Sequence, residues 1–140
     1  MKRALIVAGA PIEDYDALKV LLRADDYSIF CDSGLRHAMG LEVEPQLVLG
    51  DFDSLGYIPN GENVYIYPSE KDDSDVGIAI DYGFEKGYKS FVIYGCIGGR
   101  FDHSFANVQL LARIAERGGR GWLIGDKTAL TVIKNSEIKL

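Results

Sequence analysis

The sequence lacks any apolar run approaching the roughly 20 residues that a helix needs to cross a bilayer. A helical membrane-spanning protein is therefore excluded. Cysteine is scarce: Cys31 and Cys96 each sit singly within an apolar segment, without metal-ligand spacing. That argues against a disulfide framework and a zinc cluster, and a reduced, cytoplasmic setting is expected. Neither Gly-x-Gly-x-x-Gly nor Gly-Lys-Ser/Thr occurs, so dinucleotide-fingerprint and P-loop chemistry are disfavoured. Linkers, low-complexity tracts and fixed-period repeats are also missing.

What remains is ordinary globular composition. Hydrophobic residues make up 47% and charged residues 26% of 140 residues, which suits one folded domain. The apolar stretch from Ala4 to Ala10 meets Glu13, Asp14 and Asp16 directly, so it reads as a buried first strand and not as a secretory signal.

The net charge of -6 is concentrated in one place. From Asp51 to Asp75 there are seven acids and a single base, Lys71; removing these from 21 acids and 15 bases leaves fourteen of each. An excess localised in this way points to a cation site and away from a nucleic-acid surface.

Short runs rich in β-branched residues alternate with helical spacing, the pattern of βα units around a parallel sheet. Strands are expected at Ala4 to Ala8, Ser28 to Asp32, Leu47 to Gly50, Val64 to Tyr67, Phe91 to Tyr94, Gly121 to Ile124 and Leu130 to Ile133. Asp14 to Arg23 and Leu35 to Met39 read as helices. In Asp75 to Glu85, residues Val76, Ala79, Ile80, Gly83 and Phe84 share one face; in His103 to Arg117, residues Val108, Leu111, Ala112 and Ala115 do so, with Gly118-Gly119 as the stop.

Three constellations carry chemistry. Gly50-Asp51-Phe52-Asp53-Ser54 follows a strand directly, at the end where α/β sheets bind ligands. In extended backbone Asp51 and Asp53 face the same side, so two carboxylates can meet one hard cation; a self-capping polar turn is the plainer alternative. Lys71-Asp72-Asp73-Ser74-Asp75 precedes a helix, with Ser74 as N-cap and Asp75 in the first turn. Capping explains one or two of these acids and not all of them. Magnesium neutralises such a cluster while keeping waters and substrate phosphates, so Asp51, Asp53 and Asp75 form the candidate metal set, with Asp72 and Asp73 outside it or solvated.

The third constellation, Gly95 to His103, supplies glycines and Arg100 at a helix start, a cradle for an anion or simply a structural turn. His103 reads as a binding or positioning group beside Asp102. Gly9-Ala10-Pro11 and Asp32-Ser33-Gly34 are turns at earlier strand ends that face the same crevice.

Taken in order, Asp-Ser-Gly, then Pro-x-x-x-x-Gly-Asp-Phe-Asp-Ser, then Lys-Asp-Asp-Ser-Asp, then Gly-Gly-Arg-Phe-Asp-His with Ala-Asn following, the motifs resemble thiamine pyrophosphokinase over nearly the whole chain. The resemblance implies a three-layer Rossmann-like α/β domain with a mainly parallel sheet flanked by helices. It also implies ATP and thiamine as substrates, magnesium as cofactor, and a homodimer. Catalytic roles fall on Asp51, Asp53, Asp75, Arg100 and Asp102. ATP and substrate contacts fall on Gly9, Asp32, Ser33, Gly34, Asp72, Asp73, Ser74, Gly99, Arg100, Asp102, His103 and Asn107. Ser74 stands where the family usually has threonine, and Val76-Gly77 replaces bulkier or polar residues. Residues 1–140 correspond to the catalytic domain; the smaller β-rich domain of the family is expected to be missing, its start falling near 128–140, which would leave the thiamine pocket incomplete. Two other classes fit the same motifs: a metal-dependent phosphohydrolase, and a nucleotide- or thiamine-sensing module without turnover.

Overall fold

The computed structural model describes residues 2–50, 64–66, 74–96, 101–125 and 129–132, and only the backbone of 32, 33, 65, 66 and 101–107. Among the described residues seven strands, β1 (Ala4–Val7), β2 (Tyr27–Cys31), β3 (Leu47–Gly50), β4 (Val64–Ile66), β5 (Ser90–Tyr94), β6 (Arg120–Ile124) and β7 (Ala129–Thr131), form one sheet in the order β4-β3-β2-β1-β5-β6-β7. All pairings are parallel except β6 with β7.

Period-2 alternation splits the strands between two cores. Ala4, Ile6, Ile29, Leu49, Phe91 and Ile93 face one layer of helices. Leu5, Val7, Phe30, Val92 and Tyr94 face the other. The first layer is α3 (Asp75–Glu85) and α4 (Phe101–Glu116); the second is α1 (Tyr15–Lys19) and α2 (Ala38–Leu41). With both faces covered, the central strands are apolar throughout, and each large side chain removed from water contributes about 1.5–3 kcal/mol. The expected three-layer α/β arrangement is thus the observed one.

Helix α3 has the expected bounds, and Ser74 is its N-cap, accepting the Gly77 amide at 3.1 Å. Its buried face contains Val76, Ala79, Ile80 and Gly83, with Phe84 packed alongside. In α4 the buried stripe is centred on Leu110, Leu111 and Ile114, shifted from the predicted face, in which Ala112 and Ala115 are only half-buried. The Gly118-Gly119 stop is present: the Gly119 amide donates to Ile114 O and the Gly118 amide to Ala115 O.

Two helices differ from expectation. The first spans only Tyr15–Lys19; Asp14 caps its start, but Leu21 and Leu22 donate to Leu18 O and Lys19 O in a tight turn, and the Arg3 guanidinium takes the Leu21 carbonyl. The predicted Leu35 to Met39 helix is a 3-10 turn over Asp32–His37 running into α2. Helix α2 ends at Glu42 with φ +57, a left-handed conformation stabilised by amide bonds from Glu42 to Met39 O and from Val43 to Ala38 O.

Candidate active site

The strand order reverses direction between β1 and β5. The chain leaves β1 toward β2 through the α1 layer and leaves β5 toward β6 through the α4 layer, so the two connections diverge and open a crevice beyond the carboxyl ends of these strands.

The floor of this crevice is tightly joined. Beyond the β1–β5 ladder, the Ala8 amide donates to Tyr94 O and the Ala10 amide to Gly95 O, both at 2.8 Å. Gly95 has φ +76, and a Cβ there would stand 2.1 Å from Ala8 O, so this position requires glycine. A Cβ on Gly34 would fall 2.2 Å from Val7 O, so the turn after β2 also lies directly on the end of β1. Gly9 and Gly34 therefore border one crevice, and the backbone of Asp32 and Ser33 lies in the turn beside them.

The acidic part lies on one side of this floor. Strand β3 ends at Gly50, immediately before Asp51, so the Asp-Phe-Asp segment leaves from the carboxyl edge. Half-buried Asp75 opens α3, and its carbonyl accepts from Cys31 Sγ at 3.7 Å, which anchors the helix start on the end of β2. The helix N-terminus with Asp75 is thus adjacent to the ends of neighbouring strands β2 and β3. Asp51, Asp53, Asp72, Asp73, Gly99 and Arg100 lie outside the described residues. Among the described residues no group of three or more His, Cys, Asp or Glu side chains could hold a metal. Asp102, His103 and Asn107 fall within the first two turns of α4, beyond the carboxyl end of β5.

Two groups near the crevice can be given chemical states. Burial pushes the Cys96 thiol up to about 12, which makes it an inert core group and not a nucleophile. His37, 3% exposed, accepts from the Tyr15 hydroxyl at Nδ1 (2.7 Å), and its Nε2 donates to Ala10 O at 2.9 Å. Sequence reasoning had considered only the histidine at 103. The available signal for His37 was its place just after the second strand, in a turn facing the crevice.

At the opposite end of the sheet a cavity of about 620 Å³ opens beside Arg23, Tyr27, Ser28 and Tyr88. Its polar walls are already engaged: Asp26 with Arg3 and the Arg23 amide, and Ser28 with Glu44 O and Gln46. Its size alone does not make it a site. Among the described residues no helix is long and apolar enough to cross a membrane.

Residues 18–121 match the family described as thiamin pyrophosphokinase, catalytic domain. Thiamine pyrophosphokinase of Bacillus subtilis (strain 168) is 32% identical over 117 residues, covering 79% of this chain and 55% of that protein. The crystal structure of thiamine pyrophosphokinase from Bacillus subtilis has a TM-score of 0.75 at 25% identity, covering 94% of this chain and 63% of that one. The Geobacillus thermodenitrificans structure gives 0.74 at 26% identity, covering 95% and 63%. The Candida albicans structure, at 16% identity and TM-score 0.67 with 91% and 59% covered, shows the shared fold alone. This chain spans just over half the length of the curated relative and less than two thirds of these structures.

Proposed function

Because the chain belongs to the thiamin pyrophosphokinase catalytic-domain family, we propose that it forms the nucleotide-handling part of a thiamine diphosphokinase, transferring pyrophosphate from ATP to thiamine with release of AMP. What supports this reading is that the start of α3 at Asp75 is fastened to the carboxyl end of β2, beside β3, which ends at Gly50 just before Asp51 in the sequence, on one side of the switch-point crevice.

In this reading Asp51, Asp53 and Asp75 hold magnesium, which when bound withdraws charge from the triphosphate. Gly9, Asp32, Ser33 and Gly34 border the nucleotide from the β1 and β2 turns. Asp72, Asp73 and Ser74 flank the metal set. Gly99, Arg100, Asp102, His103 and Asn107 approach from the β5–α4 side, Arg100 as a planar fork on phosphate. The hydroxyethyl oxygen of thiamine forms the new bond to the β-phosphorus as the bond from that phosphorus to the AMP oxygen breaks. Its proton passes to Asp75. Positioning and charge neutralisation supply most of the rate. A homodimer acting in the cytoplasm belongs to the same proposal.

The deciding experiment measures AMP formation from magnesium ATP, with and without thiamine, on this chain and on the longest natural form of the protein. Thiamine-dependent AMP is the expected result, and AMP only from a longer form would mean that this chain supplies part of the pocket. Phosphate release without thiamine would favour a phosphohydrolase, and tight binding without turnover a sensing module.

A further inference from the structure

Among the described residues Ser28 and His37 are polar residues buried over their whole surface, not at the side chain alone. Ser28 has a structural explanation: it donates to Glu44 O and accepts from the Gln46 amide, seating the approach to β3. His37 is likewise bonded at both ring nitrogens, and its bonds leave its own turn for Tyr15 and Ala10.

The hydrogen bonds of His37 fix its chemical state. A carbonyl oxygen can only accept, so Nε2 carries the proton toward Ala10, and Nδ1 of the neutral ring receives the Tyr15 hydroxyl. Burial holds this imidazole below its ordinary 6.5, with Arg36 acting in the same direction, and thereby supports the neutral form. Tyr15 is itself fixed, because its ring lies where a Cβ on Gly40 would come within 2.6 Å. The rings of Tyr15 and His37 meet at 5.7 Å between centroids.

The continuation of this chain of bonds leads to the crevice. Ala10, held by His37 at its carbonyl oxygen, donates its own amide N–H to Gly95 O, and Gly95 opens the glycine-rich segment before α4. One line of hydrogen bonds therefore runs from Tyr15 through His37 and Ala10 to Gly95, joining both turns that flank the switch point.

We infer that His37, with Tyr15 behind it, is a positioning residue for the nucleotide, setting the Gly9-Ala10 turn and through it the Gly95 turn at the spacing that ATP requires. The inference rests on the nucleotide-binding part of the reading above. The hydrogen bonds of the pair run to each other and to Ala10 O, so its assigned effect is on nucleotide affinity and not on the chemical step.

The test uses the longest natural form of the protein and titration calorimetry with magnesium ATP, together with kcat and KM for thiamine-dependent AMP formation. His37→Leu removes both bonds, Tyr15→Phe removes one, and His37→Gln retains an N–H for Ala10. Expected for His37→Leu is about a tenfold rise in Kd and KM for ATP, as for loss of a buried hydrogen bond, with kcat and the thiamine KM within about twofold. Tyr15→Phe should give a smaller rise, and His37→Gln should restore most of the affinity. Unchanged ATP affinity in a folded His37→Leu or Tyr15→Phe overturns the inference, as does a loss of kcat with ATP affinity intact. If the unsubstituted protein binds ATP but makes no thiamine-dependent AMP, and His37→Leu weakens that binding, the positioning role stands while the kinase reading falls. If it binds no nucleotide, both fall.

Discussion

The two ends of this sheet are built from the same strands by different rules. At the amino end, side chains are joined to one another: Arg3 pairs with Asp26 at 2.7 Å, with side-chain exposures of 13% and 5%, and Tyr27 stacks on Tyr88 at 5.4 Å between centroids, with Lys86 over the Tyr27 and Tyr82 rings. At the carboxyl end, among the described residues, the joints run mainly through backbone, by the close approaches of Gly34 and Gly95 and the Ala8 and Ala10 amides, with His37 and Tyr15 fastened to Ala10 O. Side-chain pairing dominates one end, and in the proposed reading the nucleotide binds at the other.

The sharpest way to break this comparison is to show that the ends share roles. Asp53→Asn at the carboxyl end should lower thiamine-dependent AMP formation by at least about a hundredfold while leaving the unfolding midpoint unchanged or slightly raised, since one repelling carboxylate is gone. Steady-state kinetics beside urea denaturation checks both halves, and retained turnover would remove Asp53 from the metal set. At the amino end, Asp26→Ala leaves the largely buried Arg3 guanidinium without its carboxylate and should cost about 3 kcal/mol of unfolding free energy, with the ATP Kd of the folded fraction unaltered. A weaker ATP affinity there would mean that the ends are coupled.

A finer contrast comes from Glu42, whose φ of +57 imposes strain on a non-glycine residue. Its partner Lys19, at 3.5 Å, meets a glutamate side chain that is 75% exposed, so little is lost with the pair. Glu42→Gly should raise stability by up to about 1 kcal/mol in chemical denaturation without a change in turnover. The smallest effect belongs to His37. With its folded value lowered from 6.5, the unfolded chain binds more protons just below that pH, so stability should decline as pH falls through 6.5 and be flat above it as far as this group is concerned. Tyr15 and Arg36 are the ionisable neighbours that bear on it. Denaturation at two pH values should show that component of the slope missing from His37→Leu.

Much of the fold was legible because strand alternation and helix periodicity are local. The bounds of α3 and the Gly118-Gly119 stop followed from spacing and capping alone. The first helix was read too long because the Leu21 carbonyl, just past its observed end, is taken by Arg3, far away in sequence. The 3-10 turn after β2 was hidden for a similar reason: it is shaped by the close approach of Gly34 to β1, which no window around Leu35 contains. In the candidate site, Asp75 and Ser74 were legible as a capped helix start. The link from Tyr15 through His37 to Ala10 was not, because it depends on the 3-10 turn after β2 being set against the β1–α1 connection by the sheet order.

The amide bonds of Ala8 and Ala10 also set a timescale. They extend the β1–β5 seam past the last paired strand residues, between two of the most deeply buried strands. Their hydrogens should exchange with deuterated solvent only when the sheet opens as a unit, which gives the crevice floor the lifetime of the fold itself. A nucleotide arriving there would meet a surface already set, and protection at these two amides should be nearly as high before it binds as after.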